Sequence, residues 1–174
     1  AACFDTQKLA WCNAHYMRGL PLEDLAAQVS PFVEEEGLGT LPVERLAPLC
    51  VLFRERANDL LGLARSFRPL VVQADDLAYN EKDAQKHFTP EGACHLRALA
   101  AVYETLSPFT AESAEAALNA YVADNGLKFK QVAPPVRTAL MGFMGGSHLK
   151  DIMAFLGREE TLRRLCAGLA KLEA

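Results

Sequence analysis

Between Asn125 and Lys150 the sequence contains neither aspartate nor glutamate, although the chain carries a formal net charge of -4. The only formal charges in that segment are Lys128, Lys130, Arg137 and Lys150. Other absences narrow the class. Charge interrupts hydrophobicity every few residues, so nothing approaches the roughly 20 apolar residues that a membrane-crossing helix needs. The start, AACFDTQKLAW, has no basic region followed by an apolar core and does not read as a signal peptide. There is no Gly-rich phosphate loop followed by lysine, and no nucleophile elbow. Cys3, Cys12, Cys50, Cys94 and Cys166 are odd in number and widely scattered. That pattern suits reduced thiols in a cytoplasmic protein better than a disulfide framework. Cys12 with His15, and Cys94 with His95, are metal-ligand types. Neither has a second pair at zinc-site spacing, so no metal is expected.

What is present is ordinary globular material: 51% hydrophobic and 23% charged over 174 residues, enough for one domain or two small ones. Thirteen acids and nine bases precede Phe88, and nine of each follow. The second half is therefore the better place for an anion.

Helical signals recur and strand signals are scarce. Asp5 or Thr6 can cap a helix that carries Leu9, Cys12 and Tyr16 on one face and stops at Gly19 before Pro21. Leu22, Leu25, Val29, Phe32 and Val33 follow at helical spacing, with Pro31 expected to kink or divide them. One long stripe runs Leu46, Leu49, Leu52, Phe53, Leu60, Leu63 after Pro42. PLVV reads as a short extended piece, and ADDLAYNEKDA as a connector into another helix. Thr89-Pro90-Glu91 and Thr110 open two helices, the second closing at Asn125-Gly126. SHLKDIMAFLG and REETLRRLCAGLAKLEA read as two short final helices. The expectation is an all-α protein of two helical lobes, residues 1–75 and 76–174.

Within the acid-free segment, QVAPPVRTALMGF can begin a helix at Pro134 or Pro135, with free N–H groups at its start and Arg137 close by. The glycines of GFMGGSHL let a backbone approach a ligand closely. An ordinary helix-loop-helix with solvated cations fits the same residues. In LFRERANDLL, Arg54 and Arg56 cannot both lie on the apolar face, so at least one points outward; ion pairs to Glu55 or Asp59 are the alternative. Asp75, Asp76 and Glu34 to Glu36 read as helix-end charge runs rather than catalytic pairs.

Two stretches resemble a family. FDTQKLAWCNAHYMR, Phe4 to Arg18, is similar to the FD..KL.W.N..Y.R segment of bacterial glutamyl-tRNA synthetases. QVAPPVRTALMGFMGGSHLKDIMAFLGREETLRRL is similar to their Q-V-A-x-P-L-R-x-A-L-T-G … G-L-F-E-[IV]-[ML]-A-L-L-G-[KR]-E segment. The resemblance implies a helical anticodon-binding region, about the last third of such an enzyme. The HIGH-like and KMSKS-like signatures of the catalytic half are absent, so no ligation is expected from this chain alone. ATP and magnesium would serve that other half. The implied partner is tRNA(Glu), at its anticodon loop and stem, with no DNA, no membrane and a monomeric state.

Carried over residue by residue, the resemblance makes Arg56 the reader of the third anticodon base and Arg137 a contact to the first. Gly146, Ser147 and Leu149 fall in the loop around the anticodon. Lys8 and Arg18 lie on the helix that runs along the RNA, where they would touch phosphate, and Trp11 is expected in the core. Two departures stand out: GGSHL replaces a T-P-G-L or S-P-G-L loop, and Pro134 replaces a polar residue. The rival reading is a helical protein-interaction module using FMGGSHL; steep salt dependence would favour RNA over it.

Overall fold

The computed structural model describes residues 6–173. Among them are nine α-helices, two short 3-10 turns and no strand, in two compact units, residues 1–71 and 72–174. Among the described residues no helix is long and apolar enough to cross a membrane.

The first unit holds α1 (Thr6–Gly19), α2 (Leu22–Glu35), α3 (Val43–Phe53) and α4 (Leu60–Val71). Helix α2 packs against α3 and α4. It buries Leu25, Val29 and Val33 at helical spacing against Leu46, Leu49 and Phe53 of α3 and Leu63 and Phe67 of α4. The Phe53 and Phe67 rings meet at 6.0 Å between centroids. Pro31 does not divide α2. The carbonyl it leaves without a donor belongs to exposed Ala27, where water can serve it, while the buried stripe holds the helix on both sides. At the end of α2, Arg65 Nε donates to Glu36 Oε1 at 2.9 Å and Arg68 Nη2 to the Glu36 carbonyl at 2.6 Å. The stretch PLVV is not extended; α4 continues through Pro69 to Val71.

The second unit contains α5 (Glu81–His87), α6 (Pro90–Thr105), α7 (Ala111–Asp124), α8 (Phe129–Met141) and α9 (Leu149–Glu173). Helices α6, α8 and α9 form its centre, with α7 against α9 and α5 against α8. Its core includes Leu96, Leu99, Tyr103, Val136, Leu140 and Ile152. Capping starts three of the helices. Asn80 accepts from the Asp83 N–H, Thr89 from the Gly92 N–H, and Thr110 and Ser113 form a reciprocal box. Helix α9 breaks at Gly157, whose φ of 73° and ψ of 172° only glycine holds without strain, so the two expected final helices are there end to end. The 3-10 turn at Ala74–Asp76 packs on α9.

Candidate nucleic-acid interface

In the first unit the long helix expected from Leu46 to Leu63 is interrupted. Helix α3 ends at buried Phe53, Arg54–Arg56 form a 3-10 turn, and buried Ala57 is extended at φ -89°, ψ 143°. Asp59 Oδ1 then accepts from the Gly62 N–H at 2.6 Å, which starts α4. Phe53 and Ala57 sink into the core on either side of the turn, and the three residues between them are lifted to the surface. Arg56 is exposed there. Arg18 on α1 anchors the turn, donating to the Glu55 carbonyl at 2.9 Å and pairing with its carboxylate at 3.4 Å. Arg54 pairs with the same carboxylate at 3.7 Å. The arginine expected on phosphate is thus first a brace for the turn that carries Arg56, though its side chain keeps 41% exposure.

Helix α1 turns a different face inward from the one expected. Ala14 and Met17 are buried, whereas Cys12 and Tyr16 are exposed. Trp11 is not in the core: it is 66% exposed and stacks on His15 at 5.4 Å, with the rings 9° from parallel. Lys8 is exposed on the same helix. The Asp5 cap and the Leu9 side chain lie outside the described residues.

In the second unit, α8 begins at Phe129, so Pro134 and Pro135 are interior and Arg137 sits in the middle turns. The free N–H groups expected beside Arg137 are instead at the far start of the helix. Two adjacent prolines are tolerated because the carbonyls they deprive, on Lys130 and Gln131, belong to exposed first-turn residues. Val132, Val136 and Leu140, all fully buried, hold the helix to the core.

Arg137 does not reach outward from a helix end; it reaches along the following loop. Its Nη1 donates to the Gly145 carbonyl at 2.9 Å and the Ser147 carbonyl at 2.6 Å. On the other side, the first turn of α5 holds the same loop. The Asn80 N–H donates to the Gly142 carbonyl at 2.7 Å, and the Met144 N–H donates to Asp83 Oδ2 at 2.8 Å. Gly142, at φ 79°, ends α8, and a Cβ on it would overlap the Ala78 carbonyl oxygen. Gly146 is also left-handed, at φ 89°. Leu149 is 5% exposed, so its side chain secures the loop from within rather than facing a ligand.

The segment that lacks acids in sequence does not lack them in space. Asp83 arrives from α5, and Glu115 from α7 meets Lys150 at 3.0 Å. That hydrogen bond, with the carboxylate charge behind it, raises the Lys150 pKa. Sequence reasoning missed Asp83, which looked like part of a connector; only its position three residues after a capping Asn80 marked a helix start. It also missed Arg164. This side chain is fully buried, with Nε donating to Glu160 Oε1 at 2.8 Å and its two Nη groups to the Leu140 and Val72 carbonyls at 2.6 Å each. The Glu160 to Arg164 spacing of one helical turn was the available signal.

Known proteins share this architecture. A family model described as an anticodon binding domain matches residues 24–169. The glutamate–tRNA ligase of Nitratidesulfovibrio vulgaris is 46% identical over 170 residues, covering 98% of this chain and 36% of that protein. That of Oleidesulfovibrio alaskensis is 44% identical over 165 residues, covering 95% and 36%. A solved glutamate tRNA ligase from Elizabethkingia meningosepticum, in complex with its amino acid, superposes with a TM-score of 0.88 over 99% of this chain and 34% of that one. At 23% identity that likeness speaks to the fold alone. The chain spans about a third of the length of the curated relatives it matches.

Proposed function

The chain belongs to the anticodon-binding domain family, and from that premise we propose that it reads the anticodon of tRNA(Glu) as the RNA-recognising part of a cytoplasmic, monomeric glutamate–tRNA ligase. ATP-dependent ligation, with magnesium, is assigned to sequence beyond these residues, and none is expected from this chain alone. The observation that carries the reading is the family match over most of the chain. Two local structures support it: an arginine on a braced surface turn, and a glycine-rich loop whose backbone is fixed from both sides.

Arg56 is the proposed reader of the third anticodon base. A cytosine edge offers O2 and N3 acceptors to a guanidinium, whereas guanine presents N–H donors at the same edge. Arginine therefore favours glutamate anticodons ending in C over a glutamine anticodon ending in G. Arg18 and Arg54, both on the Glu55 carboxylate, fix the turn's direction, so the specificity of Arg56 depends on a preset backbone. Lys8 is assigned to phosphate. In the second unit, Gly146 and Ser147 offer backbone to the RNA, and Arg137 acts through the loop it spans.

The test compares binding of the two tRNAs to the wild-type chain and to Arg56→Gln. The expected loss of discrimination is about 1–3 kcal/mol, the usual worth of a base-edge pair. An unchanged preference removes Arg56 from the site. Binding should also weaken with salt by about 0.7 powers of concentration per single-stranded phosphate contacted. Salt-indifferent binding would point to a protein partner instead.

A further inference from the structure

The geometry points to Phe143 as a stacking platform for one unpaired nucleobase; this rests on the RNA-binding reading above and adds a contact to it. Phe143 is 37% exposed and its neighbour Met144 42%, at the crest of the loop after α8. An exposed aromatic on a loose loop would mean little, but this one is held. A Cβ on Gly145 would overlap Phe143 Cε2 and lie 2.8 Å from Cδ2, so the ring lies against the bare Gly145 backbone. Gly145 is not in the left-handed region. Its lack of a side chain therefore serves the ring's close approach, not a strained turn.

The backbone beneath the ring is fixed too. The Gly145 N–H donates to the Phe143 carbonyl at 3.0 Å, closing a tight turn. Asp83 holds the Met144 N–H on one side of that turn, and Arg137 holds the Gly145 and Ser147 carbonyls on the other. The result is an aromatic ring backed by glycine and partly open to solvent, on a backbone that needs no ordering at the moment of binding. A flat, apolar-faced, unstacked base is the ligand chemistry that such a plate accepts, and every base has a π-face to offer. In an anticodon-binding family the available occupant is a splayed loop nucleotide.

The test uses the 174-residue chain and an anticodon stem-loop of tRNA(Glu) whose loop bases are replaced, one at a time, by a fluorescent purine analogue. Wild type should quench the analogue at one loop position. Phe143→Ala should abolish that quench and weaken binding about 5- to 100-fold, the range of one base–aromatic stack. Phe143→Tyr should retain both signals. Phe143→Leu, apolar but without a π-face, should lose the quench as alanine does. Gly145→Ala should mimic the loss by displacing the ring, with no further effect in the Phe143→Ala background. Thermal melting guards against a folding artefact, since a ring this exposed contributes little to the core. If wild type binds with steep salt dependence but Phe143→Ala binds and quenches like it, the platform is refuted and the RNA reading survives. If wild type does not bind the stem-loop at all, both fall together.

Discussion

Replacing Arg164 with methionine removes a fully buried guanidinium while roughly conserving volume, so the lost contacts dominate over any cavity. The Glu160 carboxylate and the Leu140 and Val72 carbonyls lose a donor. Glu160 keeps only 19% side-chain exposure and becomes a carboxylate with little water and no cation. Breaking a buried ion pair from one side costs about 3–5 kcal/mol, and partial exposure of Glu160 argues for the lower end. The Leu140 carbonyl lies within the last turn of α8, where carbonyls have no intrahelical donor, so Arg164 acts as part of that helix's cap. Leaving that buried carbonyl without its donor adds about 1 kcal/mol or more, and the part-buried Val72 carbonyl, which water can reach, adds less. These effects share one side chain and do not add fully, so the expected total is about 4 kcal/mol. Against the usual 5–15 kcal/mol of a whole domain that is a large fraction. In urea the midpoint should fall by about 2 M at a slope of about 2 kcal/mol per molar. Tyr79 supplies an independent readout. Burial raises its phenol above the ordinary value, and the Arg164 charge pulls it partly back. Arg164→Met should therefore move the Tyr79 titration further up in ultraviolet absorbance. A urea midpoint equivalent to less than about 1 kcal/mol of loss, with Tyr79 titrating as before, would refute the bonding assigned to this arginine.

Two further perturbations test the fold, one at the end of α8 where the loop begins and one in the core of the first unit. Gly142→Ala combines a left-handed φ of 79° with overlap on the Ala78 carbonyl, and should destabilise by more than the roughly 1–2 kcal/mol of the backbone conformation alone; Gly126→Ala, left-handed but in open space, is the control. Burial pushes the Cys50 thiol up from 9.0 to about 11, with the Arg54 charge acting in the opposite direction. The folded value lies above the unfolded one, so the native thiol holds its proton longer. Stability is then unaffected below about pH 9 and falls by about 2–3 kcal/mol as pH rises to about 11. Urea midpoints across that window should flatten in Cys50→Ala, apart from the later losses that the buried Tyr79 and Tyr103 phenols add in the same direction.

Local chemistry carried most of the helix boundaries. Thr89 and Thr110 cap, Asn125-Gly126 terminates and Gly157 breaks, because each effect is settled within four residues of sequence. The failures share a different cause. The stripe from Leu46 to Leu63 keeps helical spacing across a place where the chain leaves the helix, so periodicity could not see the turn at Arg54–Arg56. What decides it is burial of Phe53 and Ala57 and the Asp59 cap, and only the cap is local. Pro134 and Pro135 misplaced the start of α8 because the cost of interior proline was weighed without the buried Val132, Val136 and Leu140 that outweigh it. Trp11 is expected in the core, yet among the described side chains α1 turns Ala14 and Met17 inward and leaves the indole outside. For the site, sequence pointed to the loop around Gly146 and Ser147 but not to the groups that hold it. Asp83 lies 61 positions before the amide it binds, a separation no pattern in a single chain reports.

The acid-free run from Asn125 to Lys150 lies in the half of the sequence read as the better place for an anion, and the structure moves the weight of that idea from charge to shape. Glu115 neutralises Lys150 and Asp83 stands beside the loop, so the segment's surroundings contain the carboxylates its sequence lacks. A chain of net charge -4 also gains little from a general attraction to phosphate. On the proposed reading, recognition must therefore rest on contacts whose geometry is set before the RNA arrives. Arg56 rides on a turn tied by Arg18, and the Gly142 to Ser147 backbone is held by Arg137 and Asp83. Fixing those groups in advance lowers the ordering cost of binding and penalises any base that does not fit. A negative charge at the rim then has a use as well as a cost: it weakens indiscriminate polyanion binding, so that only an RNA matching the fixed donors and the open ring recovers the lost attraction.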